Sequence, residues 1–189
     1  MNKIERQLSA IAVHEASHAT VALALGLPVT HVDMSILPGA VRGQTYIRFP
    51  PGTGRCYRVA VYAAGFLGVN LFADLKLFAP DPDNAAAVFA PQTAAARREA
   101  RAIQRFRFDQ IAGESGSRWD GDLGAIKAIL CACQHPNRIF ARAEDVARAC
   151  LTHNEWLVRA IAQALLFDGR LSSGTLRRVA KDITTYVHI

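Results

Sequence analysis

The sequence predicts an α+β fold: a single domain that is mostly helical, with a small β-hairpin or sheet directly after its first helix. Alanine-rich segments with apolar residues at helical spacing fill most of the 189 residues. The region from Val29 to Phe49 instead alternates apolar and polar residues around a turn with Pro38, Gly39 and Gly43. Hydrophobic residues make up 51% of the chain and charged residues 20%, which is a globular composition.

Local patterns place the individual elements. Apolar residues recur at helical spacing from about Lys3 to Leu25, and Gly26 and Pro28 supply the stop signal. Two short strands then follow, Val29 to Ile36 and 44–49. The remaining predictions are helices at 55–78, about 94–108 and about 122–134, one or two long helices after residue 137, a turn at 167–174 and a short last helix.

The distribution of apolar residues also bears on location. The longest apolar run, Val59 to Ala73, is shorter than the roughly 20 residues that a membrane-spanning helix needs. No unbroken apolar segment near the N-terminus resembles a secretory signal. We therefore expect no membrane span and a cytoplasmic location. The net charge of +6 weakly favours anionic partners.

The segment His14-Glu15-Ala16-Ser17-His18 is the strongest chemical signal in the chain. Residues four apart lie one turn above each other on a helix, so the two imidazoles can bind one ion with Glu15 beside it. Zinc suits such ligands, and a glutamate next to a zinc-activated water can act as the base. Burying these polar groups unpaired within an apolar helix is costly, which favours one bound zinc ion over a chance arrangement.

Three stretches resemble the peptidase domain of the FtsH-type membrane AAA+ proteases. They are residues 11–50, with the HExxH helix, a strand and a glycine turn; residues 59–72, an alanine- and glycine-rich helix; and residues 151–179, a C-terminal helix and turn. The resemblance implies a zinc metallopeptidase with Glu15 as catalytic base. It also implies a third ligand, an aspartate that opens a helix. Asp122 fits this role, with Asp120 as the alternative.

The chain departs from that family in three ways. The glutamate pair that usually follows Ala64 and Gly65 is absent, and an unmatched segment at about 74–115 reads as an insertion within one domain spanning 1–189. No G-x-x-x-x-G-K-[ST] phosphate loop is present, so we expect no ATP binding in this chain. A stand-alone peptidase of this kind would hydrolyse flexible or unfolded polypeptides. Whether it forms a homo-oligomer stays open.

A different class of function remains as the alternative. Arg97, Arg98, Arg101, Arg105 and Arg107 lie on the predicted basic helix, interleaved with two phenylalanines. A catalytically inactive, zinc-stabilised binding or regulatory module would use this helix to contact nucleic acid or an acidic partner. A solvated insertion face explains the arginines as well, so we do not expect nucleic acid as the partner.

The first strand supports a further hypothesis. An exposed edge of the segment Val32 to Ile36 would bind an extended peptide through main-chain hydrogen bonds. An ordinary strand that is covered on both sides is the alternative.

Overall fold

The computed structural model describes residues 3–37, 40–72 and 121–183. These residues form an α+β domain in which helices dominate and a small antiparallel sheet follows the first helix, as the sequence predicts. In chain order the elements are α1 (Lys3–Ala24), β1 (Val29–Leu37), β2 (Ala40–Ile47), α2 (Arg55–Leu71), α3 (Asp122–Leu130), α4 (Pro136–His153), α5 (Glu155–Asp168), β3 (Arg170–Ser172) and α6 (Ser173–Val179).

Helix α1 ends where the sequence predicts. Gly26 takes a positive φ of 70°, a conformation that glycine adopts without strain. The N–H of Leu27 donates to the carbonyl of Ala22 at 2.8 Å, and that of Gly26 donates to Leu23 at 2.9 Å. These bonds satisfy carbonyls at the helix end and direct the chain into β1.

The sheet has three strands in the order β2-β1-β3, whereas the sequence predicts two. Strand β3 lies inside the predicted turn at 167–174 and pairs antiparallel with β1, with Leu171 opposite Val32. Strand β1 is therefore the central strand, and residues 31–33 pair on both sides. The hypothesis of an exposed peptide-binding edge at Val32 to Ile36 is therefore wrong for Val32 and Asp33, because β3 already pairs with them. Among the described strands, β2 and β3 form the edges of the sheet.

Helix α1 lies at the centre of the domain and packs against α2, α5 and the sheet. Its buried positions include small residues, Ala12, Ala16 and Ala19, which are fully buried. In α2, a Cβ at Gly68 would overlap the side chain of Ser17. Small residues on both helices thus allow a close approach between α1 and α2, and this approach positions the site described below.

Some predicted bounds differ from the structure. Helix α2 ends at Leu71 rather than at residue 78, and α3 ends at Leu130 rather than at about 134. Both the proposed insertion at 74–115 and the predicted basic helix lie outside the described residues. Among the residues that the structure does describe, no helix is long and apolar enough to cross a membrane.

Candidate metal centre

Two neighbouring turns of α1 and the start of α3 bring three potential metal ligands together. His14 and His18 lie four residues apart on α1, and Asp122 is the first residue of α3. The side chain of His18 is 7% exposed, and those of His14 and Asp122 are each 22% exposed. The group is therefore mostly buried but open to solvent on one side.

The three ligand atoms form a nearly equilateral triangle. The distance from His14 Nε2 to Asp122 Oδ2 is 3.0 Å, that from His18 Nε2 to the same oxygen is 3.0 Å, and the two Nε2 atoms are 3.0 Å apart. The centre of such a triangle is about 1.7 Å from each corner. A position at the usual zinc bond length of about 2.0–2.1 Å from all three atoms therefore exists. These residues fit a divalent metal ion.

A hydrogen bond fixes the orientation of the His18 ring. Its Nδ1–H donates to the main-chain carbonyl of Val61 in α2 at 2.7 Å. Because Nδ1 carries the proton in this bond, Nε2 of the neutral ring presents a lone pair towards Asp122 and His14. Metal-binding histidines are commonly oriented by such a second hydrogen bond.

Helix α2 also positions the His14 ring. A Cβ at Gly65 would overlap this imidazole, so the ring lies directly on the glycine backbone. The Phe66 ring meets His14 edge-on with centroids 5.0 Å apart, and His18 does so at 4.7 Å. His14 is therefore held between α2 and His18 in the orientation that points Nε2 at Asp122.

Electrostatics couple the carboxylate to the histidines. Burial by itself lowers the pKa of His18, but the neighbouring Asp122 carboxylate outweighs this effect, with smaller contributions from Glu15 and the Val61 carbonyl. The pKa of His18 rises to about 9. For Asp122 the effects are reversed: burial acts to raise its pKa, but His18 and His14 outweigh burial and hold the pKa well below its usual range. In the absence of a metal ion, the proton on His18 therefore supplies the positive charge beside Asp122.

Glu15 is held beside the triangle by strand β2. The residue is 6% exposed, and Thr45 Oγ1 donates to its Oε2 at 2.7 Å and also contacts its main-chain carbonyl at 3.0 Å. A Cβ at Gly43 would lie only 2.5 Å from Glu15 Cγ and 2.8 Å from Oε1. Gly43 therefore makes room for the carboxylate, and Thr45 fixes its orientation.

The structure brings together the three predicted ligands His14, His18 and Asp122, and no other such group of potential ligands occurs in the part of the chain that it describes. Asp120, the alternative ligand, lies outside the described residues. Sequence reasoning did not identify Thr45 as a partner of Glu15. A signal existed, because Gly43 and Thr45 are two apart on a strand and must share one face.

Comparisons with known proteins do not assign a family. No protein-family model matches the chain, and no curated protein matches it. The resemblance to FtsH-type peptidases therefore depends on the motifs in the sequence alone.

Proposed function

We propose that the protein is a zinc-dependent metallopeptidase, similar in type to the FtsH peptidase domain, that acts on flexible polypeptides without ATP. The observation that carries the proposal is the meeting of His14 and His18 with Asp122, which is more than 100 residues away in sequence, at 3.0 Å separations. Two imidazoles and a carboxylate are a ligand set of catalytic zinc sites, which keep a further position open.

The residues around the triangle suit peptide hydrolysis. A bound zinc ion supplies Lewis acidity and makes water acidic near neutral pH. Glu15, oriented by Thr45, accepts the proton of the attacking water and passes it to the leaving amine. His18, fixed by Val61, and Asp122 keep the metal-binding atoms in place during this transfer.

Strand β2 offers a place for an extended substrate. The N–H of Met34 donates to Gly169 on the β3 side of β1, and Gly43 is the partner of Met34 in β2. Main-chain groups of a residue point to one side of a strand, so those of Gly43 and Thr45 point away from β1. No described residue pairs with this edge. A polypeptide that adds to it comes to lie beside Glu15.

A paired metal and cleavage assay tests the proposal. Wild-type protein is expected to contain one zinc ion and to cleave an unfolded reporter polypeptide. The variant Glu15→Gln should keep zinc and lose cleavage, whereas His14→Ala should lose both. Glu155→Gln, which removes an exposed glutamate on α5, is the matched control and should behave as wild type.

The alternative outcomes discriminate between functions. Retained cleavage in Glu15→Gln protein would remove Glu15 from the role of base. Stoichiometric zinc without cleavage of any unfolded polypeptide would instead favour the inactive, zinc-stabilised binding module. Degradation of a tightly folded protein by the chain alone would contradict the preference for flexible substrates.

A further inference from the structure

Arg58 of α2 has no anionic partner among the described residues. Its buried Nε finds no hydrogen-bond acceptor in this part of the chain, and none of these residues forms an ion pair with it. The guanidinium carbon lies 5.4 Å from the centre of the Phe49 ring. Stacking on an aromatic ring stabilises a cation but supplies no hydrogen-bond acceptor. Buried hydrogen-bond donors usually have an acceptor. Arg58 is therefore suited to bind an acceptor that the described residues do not supply.

The position of Arg58 connects it to the metal centre. Arg58, Tyr62 and Phe66 are spaced by four residues and lie along one side of α2. Phe66 contacts His14, and Arg58 is about 12 Å from Phe66 along the helix axis. Tyr62 lies between them: burial foremost, and Asp122 in addition, raise its pKa, while Arg58 opposes the shift. Phe66, Tyr62 and Arg58 thus form a continuous row along α2 that begins at the metal ligand His14 and ends at Arg58.

The free edge of β2 leads to the same place. Thr45 holds Glu15, and Phe49 follows four residues later, about 13 Å further along an extended chain. The Phe49 ring contacts Tyr62 with centroids 5.7 Å apart and also lies under Arg58. A polypeptide extending along this edge from the metal centre therefore reaches Arg58 after about three or four residues.

Positive charge also lies next to this path. Arg48, the residue before Phe49, is exposed, and within the described ranges it forms no ion pair. The chain as a whole carries a net charge of +6. We propose that Arg58 determines substrate specificity by binding a carboxylate of the polypeptide, about three or four residues from the bond at the metal centre.

The inference rests on the proposed function, because it takes the occupant of the β2 edge to be a polypeptide. The carboxylate has two sources, an Asp or Glu side chain and the free C-terminus of the peptide. Both offer the planar pair of oxygens that a guanidinium binds through two hydrogen bonds. The rival explanation is that Arg58 only packs on Phe49.

Binding to zinc-loaded Glu15→Gln protein tests the inference without turnover. Labelled unstructured peptides carry Glu or Gln at successive positions, each with a free or an amidated C-terminus, and fluorescence anisotropy gives the Kd. We expect at least one Glu peptide to bind about tenfold more tightly than its Gln counterpart. Adding Arg58→Gln should abolish this preference, whereas adding Arg178→Gln, which replaces an exposed arginine of α6, should retain it.

The peptide series identifies the source of the carboxylate. A preference that follows the position of Glu assigns a side chain, and one that is lost on amidation assigns the C-terminus. Arg58→Met keeps an apolar stem against Phe49 and replaces Arg58→Gln if that variant fails to fold. A preference for Glu that is equal with and without Arg58 would overturn the inference, as would the lack of any preference for a carboxylate in the presence of Arg58.

Cleavage by the wild-type protein separates the two proposals. If no peptide is cleaved but the Arg58-dependent preference is observed, the proposed function fails and the carboxylate site stands. If neutral and acidic peptides are cleaved and bound equally well, the proposed function stands and the carboxylate site fails.

Discussion

Gly65 lies directly against the imidazole of His14, so that even a methyl group at this position would overlap the ring. The backbone of α2 therefore forms the surface against which a candidate metal ligand of α1 packs. This relationship gives a glycine within a helix a role at the candidate site, although glycine lowers helix stability by about 1 kcal/mol relative to alanine.

Gly65→Ala is expected to displace the His14 ring and to lower zinc affinity by about tenfold or more. Gly174→Ala, within α6, is the matched control because its new methyl group would make only an ordinary contact with Ser172 Oγ at 3.7 Å. We expect this control to fold and to bind zinc normally. Competition with a zinc chelator measures the affinity, and equal affinities for the two variants would contradict the role of Gly65.

Thr45→Val should impair catalysis without loss of metal. The substitution removes the hydroxyl that donates to Glu15 Oε2 at 2.7 Å and leaves a buried carboxylate less well oriented. A hydrogen bond to a charged group contributes about 1.5–3 kcal/mol, which corresponds to a decrease in kcat of roughly ten- to hundredfold. Thr30→Val, which removes an exposed hydroxyl on the same sheet, should leave kcat unchanged.

The identity of the third ligand can be tested by metal content. Asp122→Ala is expected to abolish stoichiometric zinc, because it removes the oxygen that lies 3.0 Å from both histidine nitrogens. Asp120→Ala should retain one zinc ion per chain. Elemental analysis of protein purified without chelator gives the answer, and the reverse pattern would assign Asp120 as the ligand.

The metal-free protein should lose stability as the pH rises from about 6.5 to 9. The pKa of His18 is raised to about 9 in the fold, so protonated His18 stabilises the fold fully below its ordinary value of 6.5. This contribution disappears as His18 loses its proton. Urea unfolding in the presence of a chelator at both ends of this range measures the effect. Zinc-loaded protein should show a smaller decrease, because the ion replaces the proton.

The local parts of the fold and site were predictable from the sequence. His14 and His18 share one face because any helix places residues four apart together, and Gly26 marks the end of α1. Asp122 was identified from the family resemblance and from its position at a helix start. No local pattern gives its 3.0 Å approach to His14, which depends on how α1, α2 and α3 pack.

Strand β3 shows why other features were missed. It has three residues, of which only Leu171 is buried, and it follows Gly169 in a segment with strong turn signals. Its strand conformation comes from the pairing of Leu171 with Val32, which is distant in sequence. Likewise, the partnership of Thr45 and Glu15 requires β2 to pack on α1, which periodicity alone does not specify.

The long sequence separation between the ligands has a consequence for biosynthesis. Asp122 leaves the ribosome about a hundred residues after His14 and His18, and α5, which packs against α1, follows later still. Throughout that interval the nascent chain carries the two histidines without the carboxylate. The candidate metal centre can therefore assemble only after the helices on both sides of this interval have been synthesised, so the residues between them emerge before the centre is complete.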